Sequence, residues 1–287
     1  NGGSFSAVAA AFAAARENPS AEVLLIEPTD WLGGQATSQG VSAIDNSYHA
    51  PANSVMANNP AAYYPADYLD FLQRMGDSRA GDPGEGYSGF SGWVSRDCYD
   101  PRSGAWVLDN MAAEFGNLTV MKMTVVKDVT TAAVSDARGD GTEITALSLI
   151  ERAPKSGYTP HEDFLSAELP DWYSPADSSR FTKTTHTVVP RDAGEGMVVI
   201  DGSEVGDVIV LSEAVYTQGR EISTERVAND GTLPAINDDQ TMALVYPFAM
   251  TTSASNNNED YLKTSFADFD AYLAQRTADY FSLGSFS

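Results

Sequence analysis

The sequence predicts an α/β fold with a parallel sheet, and three features support this prediction. A Gly-Gly turn at the start of the chain leads directly into an Ala-rich helical pattern over residues 5–16. A short apolar run follows at Val23–Ile26, and a second one lies at 197–200. Short apolar runs with polar residues at both ends are typical of strands that a parallel sheet buries on both faces.

The rest of the chain adds further strands, helices and irregular stretches. Apolar patterning predicts strands at 118–121, 124–132 and 144–152, with a turn at 136–141. Helical patterning predicts helices at 65–75, 103–115 and 266–280. Stretches rich in Gly, Pro and polar residues, which predict loops, lie at 30–62, 76–92 and 153–186.

The composition excludes several classes of partner. The formal net charge is −23, from 17 basic and 40 acidic residues, which argues against binding to nucleic acids or to anionic membranes. No apolar run is long enough to span a membrane. A single cysteine, Cys98, and three widely spaced histidines predict neither an internal disulfide nor a metal site. We expect a secreted or periplasmic location rather than a cytoplasmic one, because an extracellular setting suits this acidity.

The first residues match a dinucleotide-binding fingerprint with one substitution. Residues 2–7 read G-G-S-F-S-A, against the usual G-x-G-x-x-G/A. Gly2 would make the tight turn, Ser4 is small enough for a pyrophosphate to approach, and Ala7 would let the helix lie close to the sheet. The helix N-terminus would then face the phosphates. Because this fingerprint normally follows a strand, we expect the protein to begin upstream of residue 1.

An acidic residue stands at the position expected to bind a ribose. Glu27 follows Ala7 by twenty residues and ends the apolar run Val23–Ile26. A carboxylate there accepts hydrogen bonds from the ribose hydroxyls, and it favours a ribose without a 2′-phosphate. These residues leave FAD and NAD both open.

The next segments carry a family resemblance. Residues 24–35 read LLIEPTDWLGGQ and residues 38–45 read SQGVSAID, and over this stretch the chain resembles a family of FAD-dependent oxidoreductases. Residues 93–102 resemble the family's WVSRLCFEPR segment, and residues 199–207 resemble its VIDATELGD segment. Residues 240–250 resemble a further segment with a Gln and a PFAM motif. The Gly33-Gly34 pair is better explained by FAD than by NAD alone.

The resemblance implies a glutathione-reductase-like, Rossmann-like domain that binds FAD non-covalently and in an extended pose. The residues it assigns to the cofactor are Gly2, Gly3, Ser4 and Ala7 at the pyrophosphate, Glu27 at the ribose, Leu32, Gly33, Gly34 and Gln35 along the ribityl and phosphate side, Val126 at the adenine, and Asp201, Gly202 and Ser203 where the chain returns. The chain departs from the family at Ser4 and Ala7, which replace glycines, and at Gly202-Ser203, which replaces Ala-Thr. No Gly-rich closing segment follows Tyr280, so we expect the protein to continue beyond residue 287.

The same resemblance divides the chain into one interrupted domain with insertions. The FAD-binding domain would comprise 1–49, then a helix and a β-meander at 104–152, then 191–250. Insertions at 50–103 and 153–190 would form a cap that selects the substrate. A helical segment at 251–287 would lead into the C-terminal part.

The resemblance implies an enzyme that oxidises an organic substrate, a small molecule or a carbohydrate, by hydride transfer to flavin. Gln39 is a candidate to hydrogen-bond the flavin ring, and Asp45 or His49 is a candidate base. Each is better explained as a loop side chain that pairs with backbone. Two alternatives stay open: a flavin-stabilised scaffold or assembly subunit without turnover, and a polysaccharide-active lyase of the same family.

Overall fold

The computed structural model describes residues 1–42, 44, 64–78, 99–136, 139–160, 165–190 and 196–216, which all lie within one unit, Asn1–Pro247. Its strands form a parallel pair and an antiparallel sheet. The strands are β1 (Val23–Ile26), β2 (Leu118–Met121), β3 (Thr124–Asp136), β4 (Gly139–Pro154) and β5 (Phe181–Val188). The α-helices are α1 (Phe5–Glu17), α2 (Ala66–Ser78), α3 (Pro101–Ala113), α4 (Leu165–Trp172) and α5 (Asp207–Leu211), and Gly34–Ala36 forms a 3₁₀ turn.

The parallel pair lies beneath three helices. Strand β1 pairs with β2 in register from Val23 opposite Leu118 to Ile26 opposite Met121. Helix α1 buries residues at three- and four-residue spacing, and most of them are alanines that let its backbone approach the sheet closely. Side chains from α1, α2, α3 and one face of the parallel pair form the first core, which includes Phe12, Leu25 and Leu108.

The antiparallel sheet covers the opposite face of the parallel pair. Its order is β3-β4-β5, and a bulge interrupts the pairing of β3 with β4 between Val126 and Asp128. Val126 and Leu149 pack with Ile26 in a second core. A third core, with Trp172 and Phe181, lies on the far side of this sheet against α4. The predicted α/β fold with a parallel sheet is confirmed.

Several element boundaries differ from those predicted. Helix α3 begins at Pro101 instead of residue 103, because the Asp100 side chain caps it by accepting from the Arg102 N–H at 2.9 Å. Strands β3 and β4 run to Asp136 and from Gly139, so the predicted turn at 136–141 is shorter. Strand β5 begins inside the stretch 153–186 that was predicted to be irregular, and it pairs with β4 over eight residues.

The prediction of a second buried strand at 197–200 is wrong. Val198 is 87% exposed and Ile200 is 51% exposed, and this segment is not one of the strands, although Met197 and Val199 pack against the second core. A groove of about 950 Å³ separates it from β1 and is lined on one side by the alanines of α1. An apolar run is buried on both faces only where other elements cover both of them. Among the described residues, the face of 197–200 that borders this groove is not covered.

No helix in the described part of the chain has the length and apolar character needed to cross a membrane. The predicted helical segment 251–287 lies outside the described residues, as does most of the predicted cap at 50–103.

Candidate cofactor site

Three separate segments meet at the N-terminus of α1. The Gly33 N–H donates to the Gly3 carbonyl at 2.6 Å, and Ser4 and Gly33 form a parallel bridge. On the other side, the Ser4 hydroxyl donates to the Gly202 carbonyl at 2.5 Å, and the Gly202 N–H donates to the Asn1 carbonyl at 3.0 Å. The fold thus brings together the Gly-rich start, the Gly33-Gly34 segment and the returning chain at 201–203.

The glycines of this loop are required by close approach. Gly2 has φ +78°, and a Cβ added there would overlap the Cα and N of Ser203. A Cβ on Gly3 would overlap Oε2 of Glu27 and lie 2.8 Å from Leu32 Cδ2. No side chain larger than hydrogen fits at either position unless its neighbours move.

Glu27 places a buried carboxylate beside this loop. The residue lies immediately after β1 and is only 3% exposed. Its Oε1 accepts from the Thr29 N–H at 2.6 Å, and the Gly3 N–H also donates to it. Burial raises the pKa of Glu27, the hydrogen bonds from Thr29 and Gly3 act against this, and the negative charge of Glu204 adds to the rise. The carboxylate therefore depends on donors to stay ionised.

Ser4 does more than replace a glycine. It is the N-cap of α1, where its hydroxyl accepts from the Ala7 N–H at 3.3 Å, in addition to its bond to Gly202. Sequence reasoning treated Ser4 only as a small residue that the fingerprint tolerates. The signal that could have shown its second role is a serine directly before a helical pattern, which is a common N-cap arrangement.

Asp201 holds the returning loop through hydrogen bonds. Its carboxylate accepts from the N–H groups of Ser203 at 3.0 Å, Val208 at 2.8 Å and Ile209 at 3.2 Å. Burial by itself raises the pKa of Asp201, but these bonds outweigh it, so the pKa is lowered and the carboxylate stays ionised. Asp201 thereby fixes Gly202 and Ser203 against the start of α1.

The remaining predicted residues lie at different depths. Leu32 is fully buried in the first core, whereas Gln35 and Gln39 are exposed. Val126 is fully buried in the second core, next to the bulge in β3. Asp45 and His49 lie outside the described residues, so their catalytic roles stay predictions.

Thr37 is a site residue that sequence reasoning missed. It is 1% exposed, its hydroxyl donates to the Leu32 carbonyl at 2.6 Å, and its N–H donates to the Gly34 carbonyl at 3.1 Å. Both bonds close the turn that presents Gly33 to the loop. Nothing in the local sequence distinguishes Thr37 from other loop threonines, because its partners are backbone carbonyls.

The family follows from a direct comparison. Residues 1–156, more than half of the chain, match the model of the FAD dependent oxidoreductase family. The chain belongs to that family. The cofactor is therefore FAD, and the protein is an oxidoreductase by family.

Comparisons with solved structures and with curated proteins give weaker evidence than the family match. Among solved structures, a mutant of the E. coli quinol fumarate reductase FrdA is 15% identical, with a TM-score of 0.25. The match covers 52% of this chain and 28% of that one. The chain matches no curated protein significantly.

The residues of the site fit FAD. Two glycines that admit no Cβ leave backbone at the N-terminus of a 13-residue helix, where free N–H groups and the helix dipole favour a phosphate. A buried carboxylate stands beside them at the end of β1, where it can accept from ribose hydroxyls. Among the described residues, no group of three or more metal-ligating side chains is close enough to hold a metal ion.

Proposed function

We propose that this chain forms the FAD site of an enzyme that oxidises an organic substrate by hydride transfer. One observation supports the proposal most. The Gly-rich start, the Gly33-Gly34 segment and the returning chain at 201–203 converge at the N-terminus of α1, with Glu27 buried beside them. Bound FAD supplies the hydride acceptor for such a reaction.

Each part of the site has a distinct task in this proposal. The backbone of Gly2, Gly3 and Ser4 and the N-terminus of α1 bind the pyrophosphate. Glu27 accepts hydrogen bonds from the ribose of the adenosine. Leu32 is too deeply buried to offer more than backbone, so its role is to hold the Gly33 turn in place.

The substrate side of the reaction rests on the loop that follows the 3₁₀ turn. Gln39, Asp45 and His49 are proposed to orient the substrate and to take its proton. The substrate class, small molecule or carbohydrate, depends on the cap at 50–103 and on 153–190.

The first experiment measures FAD binding by the full chain. We expect flavin absorption to remain with the protein through gel filtration and its fluorescence to be quenched on binding. Gly3→Ala should weaken FAD binding by about tenfold or more. The added methyl group would overpack the contact between Gly3 and Glu27, which typically costs about 1–3 kcal/mol. Gly116→Ala is the matched control, because a Cβ there meets nothing within 4 Å.

The second experiment tests turnover on the loaded protein. Candidate alcohols, amines and acidic saccharides are added without oxygen, and reduction of the flavin is followed by loss of its visible absorption. Substrate-dependent bleaching supports an oxidase or dehydrogenase. A folded chain that takes up no FAD contradicts the proposal, and bound flavin that no substrate reduces favours the scaffold alternative.

A further inference from the structure

A buried guanidinium lies next to the turn that carries Glu27. Arg152, on β4, is 2% exposed, and its Nε and Nη1 have no hydrogen-bond partner among the described residues. Arginine is almost never fully buried unless it is paired, because an unsatisfied buried charge is costly. A buried arginine with two unpaired nitrogens therefore requires a reason.

Part of the reason is local packing. The guanidinium lies over the Trp172 ring, 4.1 Å from its centroid, and 5.7 Å from the centroid of Phe181. Nearby, the fully buried Glu168 accepts from Trp172 Nε1 at 3.1 Å and from the Tyr158 hydroxyl. Burial lowers the pKa of Arg152 to about 10, and the Glu168 carboxylate acts against this fall. The group stays cationic at neutral pH.

The remaining contact of Arg152 points to the cofactor site. Its Nη2 donates to the carbonyl of Pro28, the residue directly after Glu27. The carbonyls on either side are held in the same way: that of Glu27 accepts from the Thr124 N–H at 2.9 Å, and that of Thr29 accepts from the Met123 N–H at 2.8 Å. All three consecutive carbonyls of the turn 27–29 thus accept from residues of the antiparallel sheet or from Met123, which directly precedes it.

Of these three donors, only Arg152 provides a side chain and a charge. The other two are the backbone N–H groups of Thr124, the first residue of β3, and of Met123 directly before it, which any residue except proline would supply. The Arg152 N–H also donates to the Met123 carbonyl at 2.9 Å. Arg152 is therefore bonded to the same residue whose N–H donates to the Thr29 carbonyl.

We propose that Arg152 is a positioning residue for FAD, which fixes the turn 27–29 and adds a buried positive charge to the surroundings of the carboxylate that receives the ribose. This inference rests on the proposed function, and it assigns a task to a residue far from the fingerprint in sequence. Arg152 acts through Glu27 and does not itself touch the cofactor in this proposal.

The charge of Arg152 has a consequence for the pH dependence of FAD binding. Glu27 must be ionised to accept both ribose hydroxyls, and its burial and Glu204 oppose ionisation. The other charged or titratable groups near Arg152 are Glu168, Tyr173 and Asp171. Without the positive charge, Glu27 should ionise at a higher pH, so the loss of FAD affinity should be greatest at acidic pH and should shrink as pH rises.

The test compares Arg152→Met and Arg152→Lys in the full chain, with FAD affinity measured by flavin fluorescence from about pH 5 to about pH 9. Arg152→Met should weaken FAD binding by about tenfold or more at neutral pH and move the pH midpoint of binding upward. Arg152→Lys should keep the wild-type midpoint, because it keeps the charge, while it loses part of the affinity with the guanidinium geometry.

Lys183→Met is the matched control. Lys183 pairs with Arg152 across β4 and β5, and its side chain is fully buried, but it bonds Asp171 and Ser174 and not the turn 27–29. This variant should keep the wild-type affinity and pH midpoint. Thermal unfolding without FAD separates lost folding from lost binding in every variant.

Three results would overturn the inference. A wild type that binds FAD together with an Arg152→Met variant of equal affinity and midpoint refutes the positioning role alone. An Arg152→Lys variant whose pH midpoint moves upward from the wild-type value shows that the charge is not the cause, and this comparison refutes the role even if the Met variant fails to fold. A wild type that binds no FAD refutes the proposed function as well.

Discussion

The cofactor loop and the region around α4 differ in the groups that contact their buried polar atoms. The loop at the start of α1 uses mostly backbone: the Gly33 N–H donates to the Gly3 carbonyl, and the Gly202 N–H donates to the Asn1 carbonyl. The α4 region uses charged side chains, with Lys183 bonded to Asp171 and Arg152 stacked on Trp172.

The difference shows which region can accept an anionic ligand. Free backbone N–H groups and the helix dipole make a helix N-terminus locally positive without any charged side chain, so a phosphate can bind there. The buried cations of the α4 region already have contacts of their own: Lys183 pairs with Asp171, and Arg152 stacks on Trp172 and bonds the Pro28 carbonyl. In a chain of net charge −23, we therefore expect the loop to bind FAD by backbone and dipole, while the buried cations of the α4 region hold the fold.

The largest expected effect falls on the α4 region. Lys183→Met leaves Asp171 without its buried partner, and breaking such a pair costs about 3–5 kcal/mol of unfolding free energy. Chemical denaturation of the apoprotein measures this loss. An equally large loss of FAD affinity in the folded variant would show that the two regions are not separate in function.

A smaller effect is expected at Glu27, where one substitution should raise the stability of the apoprotein and lower its affinity for FAD. Its pKa is raised in the folded state, so the ionised carboxylate opposes folding once pH rises above its ordinary value near 4.5. Glu27→Gln should therefore make the apoprotein more stable than wild type at neutral pH, and the advantage should vanish as pH falls below that value. The check is the melting temperature of both proteins from about pH 4 to about pH 8.

The same substitution should weaken the cofactor site. A neutral amide accepts weaker hydrogen bonds than a carboxylate, so FAD affinity at neutral pH should fall by about tenfold. A Glu27→Gln protein that gains stability and also keeps its FAD affinity would contradict the assignment of Glu27 to the ribose.

The smallest expected effect is at Ser4. Ser4→Ala removes the N-cap of α1 and should cost about 1 kcal/mol, or about 2–4 °C in melting temperature. Ser6→Ala is the control: it removes the exposed hydroxyl that bonds Ser4 Oγ at 2.9 Å but leaves the cap bond to the Ala7 N–H, so it should change stability by less than about 0.5 kcal/mol. Equal losses in both variants would show that the cap bond contributes nothing.

Much of the parallel half of the fold could be predicted from sequence. The run at β1 and the strand at 118–121 are confirmed at their predicted bounds, because short apolar runs with polar ends have few other uses in an α/β chain. Strand β5 could not be predicted in this way, since four of its eight residues are exposed threonines and its composition resembles that of a loop. Its pairing with β4 is what makes it a strand.

The candidate site divides in the same way. The glycines and Glu27 are visible in sequence, because a phosphate-binding turn and a ribose acid need particular residue types at a fixed spacing. Thr37 and Arg152 are not visible, because they act on backbone carbonyls that are close only after folding.

The sequence by itself determined the family, the cofactor and the order of helix and strand at the start of the chain. These follow from local patterns and from residue types that the chemistry of a dinucleotide requires. Tertiary structure decided which segments meet at α1, that 197–200 keeps two apolar side chains exposed, and that Arg152 holds the turn beside Glu27. Those outcomes depend on contacts between residues far apart in the chain, and no local pattern encodes the distance between them.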